Sequence, residues 1–283
     1  MSENTFDNVV NRHWNAIPLA LRAILVGIFV STIGTTSWPV IGTLIPAPIS
    51  ILIMIGVFWV YWKYFSGSWW PKVTAKARSN SFRSVKLPPN VWKWGLVAAA
   101  LFVVLAQSSF VITFRLVDFP AETFTSAYNV DHLPLWLAWL FVIISSLVAG
   151  IFEETGFRGY MQVPLEERYD PKIGITIVSI MFIVLHLHQA WLPHLLFQIF
   201  ALSLLLGILA YKSGSLIPGM IAHVVMDIFN FSYWWTDILG RFNMQTIFET
   251  GIDFHVILWA FVFSISTILF FITMRKISID RNS

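Results

Sequence analysis

The 283-residue chain contains no cysteine. That excludes a disulfide framework, a zinc–thiolate site, an iron–sulfur cluster and a cysteine nucleophile. Charge is also scarce: Asp, Glu, Lys and Arg make up 12% of the residues, against about 25% in a soluble domain. Acidic residues are missing from one long stretch altogether, with no Asp or Glu between Asp7 and Asp118. A surface so poor in charge does not suit an ordinary soluble enzyme, a disordered tail or a nucleic-acid-binding domain. What the chain has instead is apolar: 57% hydrophobic and 16% aromatic residues, with mean hydropathy +0.73. The missing polar surface is replaced by one that suits lipid, so the chain reads as a polytopic membrane protein. Its pI near 9.2 reflects a net charge of only +3, the basic bias of cytoplasmic loops rather than a polyanion site.

A spanning helix needs about 20 mostly apolar residues. Segments of that kind run from Ala20 to Trp38, Ala47 to Phe65, Val91 to Phe114, Leu135 to Val163, Ile173 to His188, His194 to Tyr211, Leu216 to Trp235 and Phe254 to Met274. The fifth is short and is soon followed by Pro193. The expected fold is therefore all-α, with about eight transmembrane helices in a single integral membrane domain, 1–283. When alternate loops are assigned to opposite sides, 16 of the 18 Lys and Arg fall on one side, leaving only Arg115 and Arg241 on the other. The positive-inside rule makes the rich side cytoplasmic, with both termini there. A wrong span count would scramble that asymmetry.

The first 18 residues are polar and mixed, and no cleavable signal peptide is expected. Asn4-Thr5-Phe6 is not a glycosylation acceptor. The longest basic loop, Ser66 to Asn90, carries Trp69 and Trp70 and reads as a topology determinant in contact with anionic headgroups. Acidic residues of the outer face lie in Leu116 to Leu133 and Thr236 to Asp253. No internal repeat or second soluble domain is visible.

Ionisable groups inside a membrane are costly and so mark functional candidates. The fourth segment ends with Glu153, Glu154 and Arg158, the fifth holds Phe182, His186 and His188, and the seventh holds His223 and Asp227. His194 and Gln198 open the sixth. On an α-helix, Glu154 and Arg158 share a face, as do Phe182 and His186, and His223 and Asp227. Glu153 is expected about 100° away from Glu154, facing a different partner. Counted at about 1.5 Å per residue, Glu153, His186, His223 and Asp227 lie about 12–20 Å from the cytoplasmic face, in one layer. Gly150, Gly156 and Gly159 would let helices approach closely around that layer. A carboxylate near an imidazole, both out of bulk water, is a general-base arrangement, and a second His can serve a developing oxyanion. Hydrolysis by activated water, without a covalent intermediate, is the chemistry this suggests.

Structural readings compete for several of these groups. Glu154 with Arg158 is as readily a structural pair as a catalytic one. His188 and His194 lie near the outer interface, where solvated histidines are common. His13, His132 and His255 have no partner evident in the sequence. Glu166, Glu167 and Arg168 read as a solvated loop, and Asn230, Gln189 and Gln198 as interhelical hydrogen-bonders.

The ordered set Glu153-Glu154-x-x-x-Arg158, Phe182-x-x-x-His186 and His223-x-x-x-Asp227, on three separate hydrophobic segments, resembles the CPBP family. These are the CAAX-processing proteases and bacteriocin-processing or immunity proteins, also called Abi proteins and intramembrane glutamic endopeptidases. The resemblance covers the motif-bearing core, 135–235. It implies that Glu153 and His186 activate the attacking water and that His223 and Asp227 bind the oxyanion. Glu154 and Arg158 would support the site. CAAX-processing members typically have Asn where this chain has Asp227. An ionised Asp cannot donate to an oxyanion, so Asp227 must be protonated or must orient His223 instead.

The sequence thus leads to an eight-helix intramembrane endopeptidase with a polar cavity open to the cytoplasm. It would act, without cofactor or metal, on a membrane-associated peptide or protein substrate, lipidated ones included. Its partners would be membrane lipid and that substrate, not nucleic acid, and its place the bacterial plasma membrane. The alternatives are a metal-dependent membrane hydrolase using Glu153, His186, His223 and Asp227 as ligands, a non-catalytic membrane immunity or scaffold protein, and a transporter with proton carriers. No inverted repeat supports the last.

Overall fold

Proline sets the starts of the helices. Its fixed φ and missing N–H suit the first turn and little else in a helix. In the computed structural model, Pro18, Pro48 and Pro134 stand immediately before three helices, and Pro89, Pro171 and Pro193 begin three more. The structure describes residues 13–14, 16–83, 87–118, 130, 133–187, 193–236, 238–239 and 245–282, and every regular element among them is helical. In order these are α1 (Leu19–Thr35), α2 (Ser37–Leu44), α3 (Ile49–Phe65), a 3-10 turn (Lys72–Thr74), α4 (Ala75–Phe82), α5 (Pro89–Leu116) and α6 (Leu135–Val148). The last runs directly into a π-helix (Ala149–Met161) and then α7 (Gln162–Arg168). After them come α8 (Pro171–Leu185), α9 (Pro193–Ser213), α10 (Ile217–Asn230) with a π turn (Phe231–Trp235), α11 (Ile247–Thr250) and α12 (Phe254–Asn282).

A helix stands at each of the eight expected segments. Five stretches are long and apolar enough to cross a membrane: Leu19–Gly42, Pro89–Leu116, Leu135–Arg168, His194–Ser213 and Phe254–Arg281. Ile49–Phe65 and Pro171–Leu185 are shorter apolar helices, and α10 has 14 residues before its π turn. The fifth expected segment ends at Leu185, short of the expected His188, and His188 itself lies outside the described residues.

Between helices in lipid there is little hydrophobic drive, so close packing of small residues takes its place. The glycines singled out in the sequence do this. A Cβ on Gly156 would come within 2.5 Å of the Gly27 carbonyl oxygen, and one on Gly159 within 2.7 Å of the Ser81 carbonyl oxygen. Gly150 has Val224 of α10 against it in the same way. These contacts bring α1, α4 and α10 onto the motif-bearing π-helix. Phe152 on that helix is fully buried and packs on Phe58 and Tyr61 of α3, with ring centroids 5.2 and 4.3 Å away. On the other side, α5 and α12 pack through residues such as Phe102 and Phe270, with Leu206 and Leu209 of α9 against them.

Three sequence expectations change here. The basic stretch Ser66 to Asn90 is not only a headgroup contact, because it folds into the 3-10 turn and α4 and buries Arg78. Arg78 donates to the carbonyl oxygens of Tyr64, Trp69 and Pro71 and lies over the Tyr64 ring, which ties the loop to the end of α3. Glu166 is not in a solvated loop either. It sits in α7 with 5% of its side chain exposed, 2.5 Å from Arg83 Nη2, and accepts from Gln162. His255, which had no evident partner, contacts buried Arg115 through Nδ1 at 2.8 Å. Arg115 also donates to Asp253 and Thr250, so one of the two cations expected outside closes a network between α5, α11 and α12. His132, Gln189 and Arg241 lie outside the described residues.

Candidate active site

The local backbone departs from the α-helix where the first motif lies. Ala149–Met161 is a π-helix, whose i→i+5 bonds place more residues in each turn, so neighbouring side chains diverge by less than the 100° of an α-helix. Glu153 and Glu154, expected to face apart, share one neighbour. Both approach one imidazole, His223 of α10: Glu154 Oε1 lies 2.9 Å from Nδ1, and Glu153 Oε2 lies 3.9 Å from Nε2. Asp227, one turn further along α10, places Oδ2 3.5 Å from the same Nε2.

Arg158 lies i+4 from Glu154 and meets its Oε1 at 3.2 Å, with neither side chain exposed. Its Nη2 donates to Ser203 Oγ on α9 at 2.9 Å, and its guanidinium lies 4.7 Å from the Phe182 ring centroid on α8. Phe182 is thus a packing surface at the junction. It stacks on His186 at 4.5 Å and meets the His223 ring edge-on at 6.4 Å. His186 follows the last residue of α8, and its Nδ1 lies 2.7 Å from the Phe182 carbonyl oxygen. A carbonyl only accepts, so that bond puts a ring hydrogen on Nδ1, and in the neutral imidazole Nε2 is then the acceptor.

Three carboxylates thus approach His223, Arg158 joins through Glu154, and Phe182 links the second motif to both. Exposure rises through the group. Glu154 and Arg158 are at 0%, His223 at 5%, Asp227 at 12% and Glu153 at 17%. The innermost pair reaches no solvent, and Glu153 is the most exposed of the five. Among the described residues, no group of three or more His, Cys, Asp or Glu side chains is arranged to hold a metal ion.

Three residues outside the motifs complete the arrangement. Ser203 holds Arg158 from α9. Gly219 of α10 leaves room for Glu154, whose Oε2 would be 3.3 Å from a Cβ at that position. Gln107 of α5 donates to Asn230 Oδ1 at 2.9 Å, three residues beyond Asp227 on α10. Asn230 and Gln198, which donates to Ser109 Oγ at 2.6 Å, are interhelical hydrogen-bonders as expected. Ser203 and Gln107 were findable as polar residues within apolar runs, although nothing in the sequence indicates what they touch.

Residues 134–229 match a family model described as Type II CAAX prenyl endopeptidase Rce1-like. No curated protein matches the chain, and no solved structure does. The matched segment begins at the proline before α6 and ends one residue before Asn230, so it contains all three motifs. This agrees with the resemblance to the CPBP and CAAX proteases, and it supports a membrane endopeptidase.

Proposed function

We propose that this chain, whose residues 134–229 are of the Rce1-like CAAX-protease type, is an intramembrane endopeptidase of the glutamic kind. The observation that carries this is the convergence on His223. Nδ1 is engaged by Glu154, whereas Nε2 is left to Asp227 and the more exposed Glu153.

In this reading, Glu153 takes a proton from water while the lone pair on His186 Nε2 orients it. The resulting hydroxide attacks the substrate carbonyl carbon, and the C–N bond breaks as the proton passes to the leaving amine. The developing oxyanion accepts from His223 Nε2. That role requires a hydrogen on Nε2 as well as on Nδ1, the imidazolium form, for which three carboxylates are available as acceptors. Asp227 orients His223 rather than donating to the oxyanion itself. Glu154 and Arg158 hold His223 in place and do not take part in proton transfer. All eight helical segments cross the membrane in this reading. Both termini are cytoplasmic in a bacterial plasma membrane, and a polar cavity opens toward the cytoplasm. The substrate is a membrane-associated peptide or protein, lipidated ones included.

The test compares new protein N-termini in membranes holding the natural chain or Glu153→Gln at matched abundance. Products present only with the natural chain are expected. Identical sets of termini would favour a non-catalytic immunity or scaffold role, in which the buried Glu154–Arg158–His223 cluster only fastens helices together.

A further inference from the structure

A groove of about 870 Å³ opens where α8 begins and where α9 and α12 end, and no residue of the three motifs lines it. Its walls are apolar, with Ile175, Ile208 and Met274 toward the interior and Ile279 at the open side, 62% exposed. Lys172, Lys212 and Arg275, one from each helix, also line it. The one carboxylate among the lining residues, Asp170, accepts from the backbone N–H of Lys172 at 2.8 Å as the cap of α8. Three cations therefore face a single carboxylate that is already engaged.

The groove's shape is held by a separate residue. Arg281, near the end of α12, donates to the carbonyl oxygens of Tyr211 and Lys212 at 2.8 and 3.3 Å. It satisfies the last carbonyls of α9, which a helix leaves without internal partners. Arg281 is engaged there, and the cations that line the groove are Lys172, Lys212, whose Nζ lies 5.9 Å from the Tyr211 ring centroid, and Arg275.

The dimensions and chemistry limit what that ligand is. A volume of about 870 Å³ is far beyond what a lone ion fills. The walls suit a hydrocarbon chain, and all three helices are apolar, two of them long enough to cross a membrane. Basic pockets between membrane helices, at the level of the headgroups, recognise anionic lipid. We propose that this groove binds an anionic phospholipid, its phosphate among Lys172, Lys212 and Arg275 and an acyl chain along Ile175, Ile208 and Met274. The assignment does not depend on the peptidase reading.

Native mass spectrometry of the full chain, with added dioleoyl phosphatidylglycerol or dioleoyl phosphatidylcholine, tests this. Phosphatidylglycerol should be retained in preference, and Lys212→Gln or Arg275→Gln should each lower its retention about fivefold. Ile279→Trp, which fills the open side without changing charge, should also lower it. Millimolar inorganic phosphate should not displace the lipid. Equal retention of the two lipids, or retention unchanged by the charge variants, would overturn the proposal. So would an Ile279→Trp variant that binds normally, since attraction to the charged surface alone would then suffice. Displacement by phosphate would assign the cations to a free anion and overturn it as well.

Discussion

Glu154 and Arg158 meet at 3.2 Å on a π-helix with neither side chain reaching solvent. His223 Nδ1 meets the same Glu154 Oε1 at 2.9 Å, and Arg158 Nη2 donates to Ser203 Oγ. Breaking such a pair leaves an uncompensated buried charge, which costs about 3–5 kcal/mol. Arg158→Met should therefore lower the thermal stability of the purified protein sharply. Glu154→Gln combined with Arg158→Met should recover part of that loss, because no lone charge remains. A double variant as unstable as the sum of the single ones would show that the two residues act independently.

The glycine contacts make a second, steric prediction. Gly27→Ala places its Cβ 2.8 Å from the Gly156 carbonyl oxygen, and backbone must shift to admit it. Overpacking of that kind costs about 1–3 kcal/mol, so thermal unfolding should begin at a lower temperature. Gly56→Ala on α3 has nothing within 4 Å. It should be neutral or gain up to about 1 kcal/mol from helix propensity.

Asp253 gives the pH dependence. The hydrogen bond from Arg115, and then that from the Val256 N–H, hold its carboxyl below the usual carboxylate range. A lowered folded-state pKa means stabilisation that is present in full above the unfolded value, about 3.9, and is lost as pH falls through the folded one. The natural chain should be more stable than Asp253→Asn near pH 6, with the gap closing as pH is lowered below about 4. Thermal scans across that range provide the check. A gap that does not change with pH would detach Asp253 from the effect.

Arg83 and Glu166 join the loop before α5 to α7 across 83 residues of sequence, with side-chain exposures of 17% and 5%. A double-mutant cycle with Arg83→Met and Glu166→Gln should give a coupling energy of about 1–3 kcal/mol. A value near zero would be that of an ordinary exposed surface pair.

Much of this was visible in the sequence because it rests on local patterns. Apolar runs of about 20 residues located the helices. The spacing of Glu154 and Arg158 and of His223 and Asp227 gave the pairs on each helix, and the glycines gave the close approaches. What could not be read depends on tertiary path. The π-helix has no spacing signature, so Glu153 and Glu154 were expected to face apart, when both reach His223. Arg115 with His255, and Arg83 with Glu166, are joined only by the fold. Glu166 looked solvated because a Glu-Glu-Arg run usually is, and its burial follows from where α7 is held.

The account assigns water activation to Glu153 and structural support to its neighbour Glu154, and one paired measurement separates the two. Cleavage rate and unfolding temperature would be determined together for the natural chain, Glu153→Gln and Glu154→Gln, with a substrate identified by the comparison of new N-termini. Glu153→Gln should lose cleavage by about 10²–10⁴-fold, the range for a lost general base, and keep its unfolding temperature. Glu154→Gln should lose unfolding temperature. Cleavage retained by Glu153→Gln, at natural stability, would contradict the account.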